Sequence, residues 1–357
     1  MSLLFSPLTL RGITLRNRIA VSPMCMYSSQ DGFATDWHLV HLGSRAVGGA
    51  GLIIAEATAV VPEGRITPHD LGLWNDAHIE GLQRITKFIT EQGAVPGVQL
   101  AHAGRKASHH RPWDGGGAIS PQEENGWQTV APSAVPFDEG EPTPTALSEE
   151  GIQQVIAAFE ASAKRALEAG FKVIEIHAAH GYLLHEFYSP LSNQRTDKYG
   201  GSFENRIRLT LEVTERLRKV WPEELPIIVR ISATDWTEGG WTGDDSVALA
   251  KELKKLGVDL VDCSTGGNVP RASIPVGPGY QVPFAEQVKK EADVLTGAVG
   301  MITDTQQAEE ILASGQADIV LLAREMLRDP YFALHVAHEL GAEQAWPPQY
   351  ERAKPRK

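Results

Sequence analysis

Phe171-Lys172-Val173-Ile174-Glu175-Ile176-His177-Ala178-Ala179-His180-Gly181-Tyr182 is a short β-rich run that ends in two imidazoles and a phenol. Alternation along it places Val173, Glu175 and His177 on one face and Ile174 and Ile176 on the other. The segment before it, Ser148–Ala169, has a different period. Its apolar residues Val155, Phe159, Ala163 and Ala166 recur at steps of three and four, as one face of a helix requires. Gly170 lies between the two, where helix C-caps favour glycine.

The same alternation extends through the chain. Strands are expected at Arg18–Val21, Leu52–Ala55, Val95–Leu100, Lys172–His177, Ile227–Ile231, Leu260–Cys263, Val294–Ala298 and Ile319–Leu322. Helical patterns are clearest at Asp76–Gln92, Ser148–Ala169, Phe203–Val220, Asp245–Leu256, Thr305–Ser314 and Pro330–Leu340. Strands joined by helices must run parallel, with right-handed crossovers covering the sheet. An open doubly wound sheet and a closed barrel both satisfy that rule. The count of eight units and the absence of a GxGxxG after the first strand favour an α/β fold of the (β/α)8 TIM-barrel type, as one domain over residues 1–357. The extra length falls after the third strand, where residues 107–145 are rich in Gly, Pro, Trp and acidic residues. An insertion that long in such a place is expected to cover the site, and Trp113 and Trp127 suggest that it packs.

The composition narrows the functional class. Of 357 residues 42% are hydrophobic and 22% charged, which fits a globular chain and not a disordered one. Acidic residues exceed basic ones by 45 to 33, so the basic footprint of a nucleic-acid binder is missing. Two cysteines, Cys25 and Cys263, make no disulfide framework, and a reducing compartment is expected. The apolar runs are strand-sized, and the first ten residues do not resemble a secretion signal. A cytoplasmic location is the expectation.

Barrels of this kind carry their chemistry at the carboxyl ends of the strands. There the sequence offers Ser22-Pro23-Met24-Cys25-Met26-Tyr27, then Glu56-Ala57, then Gln99 followed by His102-Ala103-Gly104-Arg105-Lys106. His177 to Tyr182, Arg230, Gly297 to Gly300 and Ala323-Arg324 complete the ring. Two imidazoles and a phenol on one turn suit polarising a carbonyl and delivering a proton. Gly300 and Arg324 follow the seventh and eighth strands, the usual phosphate position, with backbone N–H groups and a bidentate cation. A buried Glu175 needs a partner, and Arg230 on the next strand is the nearest candidate. The competing class is a metal-dependent barrel hydrolase using His102, His177 and His180. It leaves the phosphate turns and Cys25 unexplained.

Four separated motifs, Ser22 to Tyr27, Gln99 to Lys106, His177 to Tyr182 and Arg195 to Arg206, together resemble the old yellow enzyme family. The cysteine of the first motif and the two-histidine form of the third are similar to its thermophilic-like bacterial branch of NADPH dehydrogenases and ene-reductases. The resemblance runs from about Leu4 to Arg352 and implies a barrel holding non-covalent FMN, with NADPH as reductant and NADH as an alternative. It implies that Ser22, Pro23, Met24, Cys25, Ala57, Gln99 and Arg230 line the flavin ring, and that Gly300, Ala323 and Arg324 hold its phosphate. Ala323 stands where the family usually has glycine, and a backbone N–H contact survives that change if φ is negative. His177 and His180 are implied to bind the oxygen of an enone, maleimide, nitro or quinone substrate. Tyr182 is implied as proton donor, Tyr27 as a substrate contact, and Cys25 as a tuner of the flavin. The tail, residues 341–357, is implied to cross the interface of a homodimer or homotetramer, with Arg352 entering the neighbour's site.

Overall fold

In the computed structural model, which describes residues 2–355, eight parallel strands close into a cylinder. The chain first forms a hairpin, β1 (Leu8–Leu10) and β2 (Ile13–Leu15). Then follow β3 (Ile19–Val21), α1 (Asp36–Val47), β4 (Leu52–Ala59), α2 (Ile79–Glu91) and β5 (Val95–Ala101). The insertion carries β6 (Val130–Ala131), which pairs with β7 (Thr145–Ala146). Next come α3 (Glu149–Glu168), β8 (Val173–Ala178), α4 (Leu183–Tyr188), α5 (Phe203–Val220) and β9 (Ile227–Ser232). The last part runs through α6 (Gly243–Lys255), β10 (Leu260–Ser264), α7 (Val282–Ala292), β11 (Leu295–Ala298), α8 (Thr305–Ala313), β12 (Ile319–Leu322), α9 (Arg324–Arg328) and α10 (Phe332–Glu339). The barrel order is β3-β4-β5-β8-β9-β10-β11-β12, and β12 pairs back onto β3 through Val320↔Ile19, Leu321↔Ala20 and Leu322↔Val21.

Local chemistry sets the helix ends. Ser148, Ser202 and Asp304 each accept a backbone N–H of the first turn of the helix they open. Thr242 and Asp245 form a reciprocal capping box. Gly170, at φ +89°, turns the chain out of α3 and into β8.

All eight expected strands are present, with ends displaced by a few residues. Four helices carry little sequence signal. On α1 the buried face includes His38, His41 and Arg45, while Trp37 and Val40 point outward, so the apolar stripe is broken. On α7 Pro283 resembles a breaker, but in the first turn its missing N–H costs nothing. Six-residue α4 and five-residue α9 are too short to show a period.

Apolar residues separate into two compartments. One fills the space between barrel and helices and includes Ile174, Ile176, Val229, Phe159 and Ala163. The other lies inside the cylinder and joins Leu52, Ile54, Val173, Ile228, Leu260 and Leu321 to Leu8, Leu10 and Leu15 of the hairpin. The hairpin thus plugs the amino-terminal end, which leaves the carboxyl end open for a site. Phe159 is fully buried between α3 and the barrel. Phe159→Ala should lower unfolding free energy by about 3–5 kcal/mol in a denaturant titration.

Candidate active site

Inside the cylinder the wall turns from apolar to polar toward the carboxyl end. One step above Val173, Ile228 and Leu260 sit Glu175, Arg230 and Asp262, all buried. Arg230 Nε lies 3.1 Å from Asp262 Oδ2, and its Nη1 donates to Ser22 Oγ at 3.0 Å. Glu175 Oε1 accepts from Gln99 Nε2 at 2.7 Å. Arg230, the expected partner of Glu175, forms no hydrogen bond or ion pair with it, although the guanidinium is near enough for its charge to act on the Glu175 carboxyl. Register explains it: Asp262 stands beside Arg230 on the adjacent strand, while Glu175 stands beside Ile228.

His177, His180 and Tyr182 converge above this floor. The His177 ring centroid is 5.2 Å from that of His180 and 5.0 Å from that of Tyr182. Burial, with Arg230 nearby, pushes both imidazoles well below the usual histidine range, so both are neutral. Burial, with Cys25 and Tyr27 nearby, pushes the Tyr182 phenol well up, so it keeps its proton. His177 Nδ1 has no hydrogen-bond partner among the described residues, whereas His180 Nε2 is 2.7 Å from Ser264 Oγ.

The turn that carries these rings is held from behind. His180 has φ +60°, and a Cβ on Gly181 would meet the Gly267 carbonyl at 2.1 Å, so the two loops touch backbone to backbone. Gly181 N–H donates to His185 Nδ1 at 2.9 Å, so His185 must donate through Nε2, 2.8 Å from Asp235 Oδ1. Ser189 Oγ and Trp241 N–H donate to Asp235 Oδ2 at 2.6 and 2.9 Å. Lys106 Nζ donates to the carbonyls of His180 and Gly267 at 2.8 and 3.0 Å. Burial pushes that ammonium down to about 8.

A bulge at Glu56 shapes the opposite side. The β4–β5 register slips between Ala55 and Ala57, which re-aims the Glu56 carboxylate. Glu56 Oε2 accepts Met26 N–H at 2.9 Å, and Oε1 lies 3.1 Å from His38 Nε2. The loop bearing Pro23, Met24, Cys25 and Tyr27 is thereby pinned over the mouth. Burial, reinforced by Asp70 and Glu56, pushes the Cys25 thiol well up, so it is no thiolate nucleophile. The Tyr27 phenol is raised likewise by burial, and its ring meets Trp113 edge-on at 5.8 Å. Trp127 Nε1 donates to Glu63 O at 2.9 Å. The insertion thus packs against the site, although Trp113 remains mostly exposed.

Next to the mouth is a cleft of about 270 Å³ lined by Gln281, Gly300, Ala323, Arg324 and Arg328 among others. A Cβ on Gly300 would meet Gln281 Nε2 at 2.6 Å, and Ala323 has φ −101°, the sign that leaves its N–H usable. Ala57 and Gln99 are buried in the carboxyl-terminal halves of β4 and β5. Arg352 lies elsewhere, exposed in a 3₁₀ turn over Pro348–Ala353. His102 is engaged locally: its Nδ1 accepts Gly104 N–H at 3.0 Å, and no three potential ligands converge among the described residues. The metal-hydrolase alternative therefore lacks its donor set. Glu56 stands among the strand-end residues that the sequence offers, but nothing in the sequence shows that it pins the Met26 loop. Sequence patterns give no warning of His185, Asp235 or Asp262, and a buried carboxylate at a strand end is the one sign that would have pointed to Asp262.

Burial opposes ionisation of Asp235, but His185, Ser189 and Trp241 outweigh it and hold the carboxyl below its usual range. The stability it contributes is present above the ordinary Asp value of about 4 and lost as pH falls through the lower folded value. Asp235→Ala should cost about 2–5 kcal/mol at neutral pH, from buried donors left unpaired. It should also flatten the acid limb of stability against pH in urea titrations.

A family model described as NADH:flavin oxidoreductase / NADH oxidase matches residues 3–343. The chain is 52% identical over 351 residues to an NADPH dehydrogenase of Bacillus subtilis (strain 168), covering 98% of each. Identity is also 52%, over 353 residues, to an NADPH dehydrogenase of Geobacillus thermodenitrificans (strain NG80-2), again covering 98% of each. Among solved structures, morphinone reductase superposes with TM-score 0.79 at 28% identity, over 98% of this chain and 92% of that one. A 2-naphthoyl-CoA reductase complex superposes with TM-score 0.85 at 28% identity, over 95% of this chain and 52% of that one. The barrel, the polar ring at its mouth and these full-length relatives agree: the chain is an oxidoreductase that belongs to the NADH:flavin oxidoreductase / NADH oxidase family, of old yellow enzyme type.

Proposed function

We propose that the protein is an FMN-dependent NADPH dehydrogenase that reduces activated C=C bonds, as an ene-reductase, with NADH as an alternative reductant. The observation that carries this reading is the convergence of a buried cation, two neutral imidazoles and a protonated phenol at one barrel mouth, beside a cleft with Gly300 and Arg324. The donor set fits FMN. Gly300, Ala323 and Arg324 offer backbone N–H groups and a cation for the phosphate. Ser22, Pro23, Met24, Cys25, Ala57 and Gln99 would line a flat ring held without a covalent bond, and Arg230 would face its electron-rich edge. When bound, FMN supplies the hydride chemistry that links NADPH to the alkene.

The remaining work belongs to side chains. His177, with an unpartnered ring nitrogen, would hydrogen-bond the carbonyl or nitro oxygen of the substrate, and His180 would join it on releasing Ser264. Those bonds strengthen as negative charge develops on that oxygen, which lowers the barrier. Tyr182, kept protonated, would deliver the proton to the α-carbon. Tyr27 would contact the substrate. Cys25, as a neutral thiol, would tune the ring and shape the pocket. Enones, maleimides, nitro compounds and quinones fit this donor arrangement. Arg352, exposed on the tail, would complete the site of a neighbouring copy in a homodimer or homotetramer.

Purified protein should be yellow, bleach with NADPH in the absence of oxygen and recover colour with cyclohexenone. A colourless protein that takes up no added FMN would refute the reading. His177→Ala should slow alkene reduction about 10²–10³-fold in stopped flow while changing the NADPH half-reaction far less. Tyr182→Phe should slow it about 10²-fold for alkenes that need α-protonation. Unchanged rates in that variant would assign the proton to water.

A further inference from the structure

Three ionisable groups are sealed together in the barrel floor. Glu175 and Asp262 are 0% exposed and Arg230 is 5% exposed. Were all three charged, the enclosure would hold one uncompensated negative charge, and a lone buried anion is costly. The hydrogen bonds show the same imbalance. Gln99 serves one oxygen of Glu175, from β5. Glu175 Oε2 and both Asp262 oxygens have no hydrogen-bond donor among the described residues, though Arg230 on β9 lies in ion-pair contact with Asp262. Glu175 on β8 and Asp262 on β10 flank Arg230 on β9, inside the same sealed layer of the cylinder. A proton between them would remove the excess charge and turn one orphaned oxygen into a donor and another into its acceptor.

We propose that Glu175 is a protonated carboxylic acid that donates its hydrogen bond to the Asp262 carboxylate, so that Arg230 faces one counter-charge at the barrel mouth and not two. Placement decides which partner keeps the proton. Asp262 has the guanidinium at 3.1 Å, which favours its anion. Glu175 is hydrogen-bonded by a neutral amide, Gln99, and the Arg230 guanidinium acts on it only from beyond ion-pair distance. Burial first, then the adjacent Asp262 charge, push the Glu175 carboxyl far up from the usual range, in keeping with that assignment. Glu175 and Asp262 are thus positioning residues. Asp262 orients Arg230 toward Ser22, Glu175 acts through Asp262, and together they set the net charge beneath the ring that the proposed function places there. The potential measured below rests on that reading, and the proton itself does not.

The test pairs two isosteric variants. If Glu175 is neutral, Glu175→Gln preserves both charge and hydrogen bonds, and the midpoint potential of bound FMN should stay within about threefold of the wild-type redox equilibrium, about 15 mV for two electrons. Asp262→Asn removes the only counter-charge and should shift that equilibrium toward reduced flavin at least tenfold, about 30 mV. Equal positive shifts in both variants would mean that Glu175 is ionised, and the proposal would fail. An unmoved potential in Asp262→Asn would equally overturn it. Infrared difference spectra of wild type against Glu175→Gln supply an arm independent of flavin and of Asp262→Asn folding. At pH 6 a protonated-carboxyl C=O band, downshifted in D2O, should belong to the wild type alone. The subtraction is needed because burial also raises Asp70 to about 7 and Glu186 to about 8. No such band would sink the proposal. Failure of the wild type to bind FMN would instead sink the proposed function and leave the infrared result standing.

Discussion

The ladder between β12 and β3 is the interaction on which the rest depends. Until it forms, eight parallel strands make an open sheet with two exposed edges and two equivalent faces. Once it forms, one face becomes an interior and the other a seat for helices. Each strand's alternation then has a fixed meaning. Ile174 and Ile176 must meet helices, and Val173, Glu175 and His177 must stack up the inside. The hairpin β1–β2 blocks the lower end with Leu8, Leu10 and Leu15, so polar groups can accumulate only at the upper one.

Closure also explains why buried polar groups come in connected sets. A charge inside the cylinder has little water to lean on, so each must find partners from neighbouring strands. Arg230 finds Asp262 and Ser22, from β10 and from the end of β3, and Glu175 finds Gln99 from β5. Above the floor, His185, Asp235, Ser189 and Trp241 form a second set that grips the Gly181 amide. A third set, Glu56 with His38, grips the Met26 amide across the mouth. The turn that carries His177, His180 and Tyr182 is thus held through its backbone, while His177 Nδ1 has no hydrogen-bond partner among the described residues. Preorganised donors of this kind need little rearrangement when charge develops.

Legibility in the sequence followed the physical origin of each feature. The strands at Ile227–Ser232 and Ile319–Leu322 and the helix Phe203–Val220 arise from local periodicity and stand out in the chain. Helix α1 does not, since its inward face spends histidines and an arginine on tertiary partners. In the site, Ser22, Gln99, His177, Tyr182 and Arg230 were visible because each follows or ends a strand. His185, Asp235 and Asp262, and the pinning role of Glu56, were hidden, because they depend on partners some tens of residues away.

By itself, the sequence determined the alternation of strand and helix, the end of each strand at which polar chemistry gathers, and the motifs of the family. These are properties of spacing and side-chain type, carried by neighbours along the chain. Only the tertiary structure decided that Arg230 forms its ion pair with Asp262 and not with Glu175, that His180 leans on Ser264, and that His102 Nδ1 is spent on the Gly104 amide. Those outcomes depend on interstrand register and on which buried charge finds a partner, and both are fixed only when the barrel closes.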